Sequence, residues 1–418
     1  MDKLAVHGGA VLRGEVQASG AKNSILPLLF STLLAEGEHV FHNVPLLQDV
    51  ESAVQLLNHL GCESKREGHT LRIRVARPAG QDAPYDLVRK MRASILCLGP
   101  LLARYGRAVV SLPGGCAIGN RPINMHLEAL KTLGAQVEMS EGYVHASCSR
   151  LRGDVVLFDG VTVGGTENLL MAAVLAEGQT LIENAAKEPE IVDLAQYLRK
   201  MGAQIQGEGS SIITIDGVEA LHPAEHVIIP DRIEAGTLLI AGAITGGEVT
   251  VTKCQPRDIE ALIVKMGEAG FRISHDKSSV TVHPQKDWRA VDISTSPHPG
   301  FPTDLQAQFM SLMTVADGTS VISETIFENR FMHVQELLRL NADIRPKSHV
   351  AVVRGRPDGL IGAPVMATDL RASASLVLAG LAARGETIVQ RIYHLDRGYE
   401  RLEEKLNHLG AQVRRISG

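Results

Sequence analysis

VLAEGQTLIENAAKEPEIVDLAQYLRKMGAQI, residues 174–205, contains one whole structural cycle. It opens on the end of an Ala/Leu-rich helix, turns at Gly178 and continues as a short apolar strand around Thr180, Leu181 and Ile182. A polar loop follows. A second helix follows, its apolar residues at the i, i+3, i+4 spacing of a single helical face. Gly202 then closes the helix, as a glycine just past a helix end does, and Ala203 leads into another strand.

The same cycle returns from Leu33, Leu102, Ala243, Thr314 and Leu381. Its closing Gly, or an Asn in its place, falls at 61, 134, 202, 270, 341 and 410. Six units of about 70 residues therefore fill the chain. Helices alternate with β-branched strands in each, so the class is α/β. A unit of this size cannot bury its apolar faces alone, and 418 residues exceed one ordinary core. Two domains of three units each are expected.

Composition narrows the partners. The chain is 44% hydrophobic and 21% charged, with a formal charge of −5, which argues against a general binder of nucleic acid or anionic membrane. No signal-like N-terminal run and no apolar stretch near ~20 residues is present, so a cytoplasmic protein is expected. The five cysteines (62, 97, 116, 148 and 254) are scattered without a CxxC pair, and the histidines form no HExxH, so neither a disulfide framework nor a zinc site is expected.

The copy beginning at Leu102 carries an extension, LPGGCAIGNRP (112–122), that sets Cys116 among glycines just before Arg121. Glycines on both sides weaken any helix or strand, so this thiol is placed for chemistry rather than packing. Cations also recur where helices begin: Lys22, Arg121, Arg232, Arg257, Arg330, Arg371 and Arg397. The helix dipole disfavours each by about 0.3–1 kcal/mol. Neighbouring acids such as Asp231, Asp369 and Asp396 explain some of them. Seven together point to a shared site for a multiply charged anion, a phosphate or diphosphate ester.

With these features stands a series of blocks in order: SGAKNSILP (19–27), RKMRASI (89–95), LPGGCAIGNRP (112–122), PEIVDLA (189–195), FPTDLQAQ (301–308), FENRFMHV (327–334), TDLRASA (368–374) and DRGYERL (396–402). Through them the whole chain resembles the UDP-N-acetylglucosamine enolpyruvyl transferases, the family that opens bacterial peptidoglycan synthesis. The resemblance implies an inside-out α/β barrel fold in two domains, each of three βαβαββ repeats. One domain would span 22–229 and the other 1–21 plus 230–418, with the active site in the cleft between them. It implies transfer of the enolpyruvyl group of phosphoenolpyruvate to the 3-hydroxyl of UDP-N-acetylglucosamine, with release of phosphate and no metal or other cofactor.

The resemblance also assigns roles. Cys116 matches the proton donor, exposed to alkylation by fosfomycin, and Asp304 the candidate base, although Asp304 also suits a helix N-cap. Lys22 and Asn23 match contacts to phosphoenolpyruvate, with Arg121 and Arg397 near its phosphate and carboxylate. The nucleotide sugar would lie against Arg92, Arg121, Pro122, Ile123, Asn124, Met125, Val161, Thr162, Val163, Gly164, Asp304 and Ile326, while Asp369 and Arg371 line the cleft. For Arg330 a surface pair with a residue one helical turn away explains the charge nearly as well. Asn124 departs from the Asp usual in the family, keeping size and an acceptor but losing charge. A sister enzyme using a shikimate phosphate shares the scaffold but lacks the cysteine loop. A thiol sensor would have no use for the full set of cations.

Overall fold

The computed structural model describes residues 2–76, 80–113 and 123–417. Their strands form six four-stranded sheets with one common pattern. In the sheet of the 174–205 cycle, Val155–Leu157 runs parallel to Gln179–Glu183, which is antiparallel to Ile212–Asp216, itself antiparallel to Gln204–Gln206. The register places Ile182 opposite Ile213, and both side chains are buried with Ile215. The helix Val163–Ala173 is buried on every side from Gly165 onward. The helix Pro189–Lys200 is one-sided, burying Ile191, Leu194, Ala195 and Leu198. Each cycle is thus βαβαββ, with one enclosed helix and one that faces outward.

The six closing residues all adopt left-handed backbone, with φ from 69° at Asn341 to 108° at Gly270. That conformation satisfies the last helical carbonyls and turns the chain into the next strand, and only glycine or asparagine adopts it at little cost. Sequence order and strand pairing part company at two places. Arg13–Gln17 precedes the helix Lys22–Ser31 but pairs with Glu248–Thr252. Glu225–Val227 precedes the helix Arg232–Ile244 but pairs with Gly37–His42. Lys3–His7 lies between Glu386–Gln390 and Gln412–Ile416, antiparallel to both.

Among the described residues the chain forms two compact units, one continuous (20–229) and one split (2–19 with 230–417). Each holds three of the sheets and its own apolar core. In the continuous unit the helices Lys22–Ser31, Leu98–Tyr105 and Val163–Ala173 pack together inside the sheets. In the split unit Arg232–Ile244, Gln306–Met313 and Leu370–Ala382 do the same. The architecture is inside-out: helices at the centre, sheets around them. Close approach of the central helices needs small residues. A Cβ on Gly236 would lie 2.7 Å from Leu305 Cδ1. No helix among the described residues is long and apolar enough to cross a membrane.

Candidate functional site

Many of the expected site residues that are described share a structural position, the N-terminal turns of the central helices. Lys22 and Asn23 open Lys22–Ser31. Arg92 opens the 3₁₀ turn Arg92–Cys97, which runs into Leu98–Tyr105. Thr162 caps Val163–Ala173, its Oγ1 accepting from Gly165 N at 3.2 Å. In the split unit Arg232 follows the cap Asp231, whose Oδ1 accepts from Ile233 N at 2.8 Å and Glu234 N at 2.9 Å. Asp304 sits in the turn Thr303–Leu305 before Gln306–Met313. Asp369 caps Leu370–Ala382 through Arg371 N and Ala372 N, and Arg371 is that helix's second residue. Helix starts carry unpaired N–H groups and positive dipole ends, so these turns suit anions and demand acceptors.

Asp304 is the centre of the split unit's cluster. Its Oδ1 takes Arg330 Nη2 at 2.7 Å and its Oδ2 takes Arg371 Nη2 at 2.8 Å. Burial opposes the charge, but Arg371 and Arg330 outweigh it and hold the carboxyl well below the usual carboxylate range. The group is therefore ionised and weakly basic while both cations touch it. It caps no helix with its side chain; both carboxylate oxygens accept from guanidiniums.

The cations are fixed in turn. Arg330 Nη1 donates to Thr303 Oγ1 at 2.7 Å and its guanidinium lies 5.1 Å from the Phe327 ring centroid. Thr303 Oγ1 donates to Glu324 Oε2 at 2.8 Å, and Glu324 Oε1 accepts from Ile326 N at 2.9 Å and Phe327 N at 3.2 Å. The backbone at Ile326 is thus tied to the Asp304 turn. Arg371 lies 5.3 Å from the Tyr399 ring centroid. Tyr399 Oη accepts from Gln308 Nε2 at 2.9 Å and lies 3.0 Å from Thr237 Oγ1. Gln308 Nε2 also donates to the Asp304 carbonyl at 2.9 Å. Asp304 is held by side chain and backbone at once. Arg397 ends the 3₁₀ turn Ile392–Arg397 and lies in the same electrostatic neighbourhood, since after burial it is the strongest influence keeping His394 neutral, with Asp369 opposing it.

In the continuous unit Asn168 gathers three segments. Its Oδ1 accepts from Gly99 N at 2.7 Å, and its Nδ2 reaches Ile95 O at 3.3 Å and His126 Nδ1 at 3.1 Å. Burial and then Arg92 push His126 down to about 4, so it is neutral, and Nδ1 is the acceptor. Gly164 lies against the same ring, where a Cβ would be 3.2 Å from Cε1. Arg92, the Ile123–Met125 segment and the Val161–Gly164 segment are thereby brought together. Ile123 is buried, Met125 packs against the core, and Asn124 and Val161 are exposed. The helix Lys22–Ser31 packs beside the 92–97 turn. Lys22 Nζ lies 3.4 Å from Asp49 Oδ2.

Cys116, Arg121 and Pro122 lie outside the described residues. Three expectations about these cations are revised. Arg330 is not in a surface pair: it is 7% exposed and bound to Asp304, 26 positions away. Arg397 ends a turn rather than opening a helix. Arg257 lies in the 3₁₀ turn Pro256–Ile259 with its side chain 80% exposed, 3.5 Å from Asp258. Among the described residues no group of His, Cys, Asp and Glu is arranged to hold a metal ion.

The family model for EPSP synthase (3-phosphoshikimate 1-carboxyvinyltransferase) matches residues 6–406. The chain belongs to this family. A relative named UDP-N-acetylglucosamine 1-carboxyvinyltransferase from Bdellovibrio bacteriovorus is 67% identical over 413 residues, covering 99% of this chain and 100% of that protein. One of the same name from Myxococcus xanthus is 58% identical, with 99% of each covered. Among solved structures, the enolpyruvyl transferase NikO from Streptomyces tendae superimposes with TM-score 0.88 at 26% identity, covering 100% of this chain and 99% of that one. The EPSP synthase from Acinetobacter baumannii, at 17% identity and TM-score 0.78 over the full length of both chains, shares the fold.

For this family member several site-supporting residues escape sequence reasoning. Glu324, Gln308, Thr237 and Asn168 are buried polar residues inside apolar-looking segments, and nothing in their spacing announces a partner. Arg330 had a signal, since the block FENRF surrounds it, but its partner is distant in sequence.

Proposed function

We propose that the protein transfers the enolpyruvyl group of phosphoenolpyruvate to the 3-hydroxyl of UDP-N-acetylglucosamine, releasing phosphate, as the first committed step of peptidoglycan synthesis. The observation that carries this reading is the full-length 67% identity to a relative of that name. The Asp304 cluster fits it chemically.

The reaction is an addition followed by an elimination. In the proposed course Cys116 gives a proton to the methylene carbon of phosphoenolpyruvate, which makes the adjacent carbon electrophilic. The sugar hydroxyl oxygen bonds to that carbon, with its proton directed to Asp304. The Cys116 thiolate takes a proton back from the new methyl group as phosphate departs with the proton held at Asp304, which restores the double bond and both side chains. Two arginines on Asp304 make it a poor resting place for a proton. Its part is then to orient the hydroxyl and to take the proton only as the C–O bond forms. Lys22, Asn23, Arg121 and Arg397 offer charge and hydrogen bonds to the phosphate and carboxylate. Arg92, Asn124 and the Val161–Gly164 turn are assigned to the nucleotide sugar, and the reading requires residues of both units to act on one substrate pair.

Phosphate release tests the acceptor directly. The protein with phosphoenolpyruvate should turn over UDP-N-acetylglucosamine and leave shikimate 3-phosphate untouched. Turnover with shikimate 3-phosphate alone would end the assignment.

A further inference from the structure

Asp193 stands apart from every role described so far. It lies in the middle of the one-sided helix Pro189–Lys200, yet it is 2% exposed. Ser24 Oγ donates to its Oδ2, and His226 Nε2 meets its Oδ1 at 2.8 Å. Ser24 and His226 are also buried. Glu190 on the same helix is buried as well, and a buried carboxyl costs stability unless it is paired, so the pairing of Asp193 calls for a reason.

The trio resembles a hydrolase triad only in composition. In such a triad the imidazole bridges hydroxyl and carboxylate. Here the carboxylate bridges the other two, and no member reaches solvent. What the trio does is mechanical. Ser24 is the third residue of the helix Lys22–Ser31, directly after Lys22 and Asn23, and that helix start has no side-chain cap of its own. Asp193 ties it to the helix Pro189–Lys200 and to the strand Glu225–Val227 that carries His226. A second anchor supports this frame. Tyr197, one turn beyond Asp193, packs edge-on against His226 at 5.5 Å between centroids, and its Oη lies 2.5 Å from His39 Nδ1. Since His39 Nε2 donates to Ala35 O at 3.2 Å, Nδ1 accepts and the tyrosine donates. Burial keeps His39 neutral, which fits that tautomer. The helix Lys22–Ser31 therefore has its first turn tied from outside by the Ser24–Asp193 hydrogen bond.

We infer that Asp193 is a positioning residue, holding the Lys22–Asn23 turn in register for phosphoenolpyruvate through the Ser24 hydroxyl. The inference rests on the proposed function, because it takes Lys22 and Asn23 as the phosphoenolpyruvate contacts. A turn that fixes two neighbouring ligand groups needs its rotation about the helix axis set, and a single hydrogen bond at the third residue sets it.

The test uses the full-length protein with Ser24→Ala, Asp193→Asn and, as a control at the far end of the same helix, Ser31→Ala. Ser31 is equally buried, and its Oγ donates only to Leu28 O within the helix. Ser24→Ala should raise KM for phosphoenolpyruvate about tenfold, leave KM for UDP-N-acetylglucosamine within about twofold, and Ser24→Thr should restore much of the loss. Asp193→Asn should move in the same direction, and Ser31→Ala should move neither constant. If Asp193→Asn does not fold, the Ser24 pair decides alone. Equal rises in both KM values, or an unchanged phosphoenolpyruvate KM in a folded Ser24→Ala protein, would overturn the positioning role. Failure of the unsubstituted protein to turn over this substrate pair is a different result, and it would strike the proposed function instead.

Discussion

Replacing Arg330 by methionine isolates one arm of the Asp304 clamp. The side chain loses its bonds to Asp304 Oδ1 and Thr303 Oγ1, both 2.7 Å, and its stacking on Phe327. Breaking a fully buried ion pair costs about 3–5 kcal/mol. Here Arg371 still neutralises Asp304, and the carboxylate is 26% exposed, so about 1–3 kcal/mol is expected. For a unit of this size that is a fall of about 3–10 °C in Tm. The pH dependence carries the sharper test. Asp304 titrates well below its ordinary value in the fold. Its ion pairs therefore contribute fully above the unfolded value near ~3.9, and the contribution fades as pH falls toward the folded value. The Tm gap between the two proteins should be full at about pH 7 and close as the pH falls below ~4. In an Asp304→Asn background the same replacement should cost less, with a coupling of about 1–2 kcal/mol. Scanning calorimetry across that range is the assay. A gap that stays constant or widens toward acid would show that Arg330 stabilises through packing alone.

Three further outcomes are expected. Burial pushes the thiols of Cys62 and Cys97 up to about 12, that of Cys254 up to about 11, and raises Cys148 as well, so iodoacetamide near neutral pH should label Cys116 first; peptide mapping with a main adduct on any other cysteine would contradict this. Tyr399→Phe removes the acceptor for Gln308 and the partner of Thr237, and should cost about 1–2 kcal/mol in denaturant titration while lowering kcat more than it raises either KM. In Gly99→Ala the new methyl would meet Asn168 Oδ1 at 2.4 Å and its carbonyl oxygen at 2.5 Å. Displacing Asn168 should destabilise by about 1–3 kcal/mol and raise KM for the nucleotide sugar more than for phosphoenolpyruvate; a neutral result in both would remove Asn168 from the site's support.

The repetition was legible because each cycle ends on a residue whose backbone has few alternatives: Gly61, Gly134, Gly202, Gly270, Asn341 and Gly410 all prove left-handed. The enclosed helices were legible as apolar runs. The strand exchange between Arg13–Gln17 and Glu225–Val227 was not, since parallel pairing with a strand distant in sequence leaves no local mark. Helix-start cations were a sound guide at Lys22, Arg232 and Arg371, where the helices do begin. The rule failed at Arg330 and Arg397, which precede a helix by an irregular segment or end a short 3₁₀ turn, whose limits periodicity cannot locate, while Arg257 does lie where a helix begins but is exposed. Asp193 was unreadable for another reason: an acid in a charged-looking helix reads as solvated until its face is known.

The pairing of Lys3–His7 with Gln412–Ile416 sets an order of assembly during synthesis. During synthesis Lys3–His7 must wait about 400 residues for its neighbour Gln412–Ile416, by which time everything needed by 20–229 has emerged. The continuous unit can complete its core early and then serve as a tethered, finished body. The split unit remains open until Gln412–Ile416 is made, with Lys3–His7 lacking that partner throughout. Slowed elongation ahead of residue 412 should therefore prolong the interval in which that strand is available to chaperones or to aggregation.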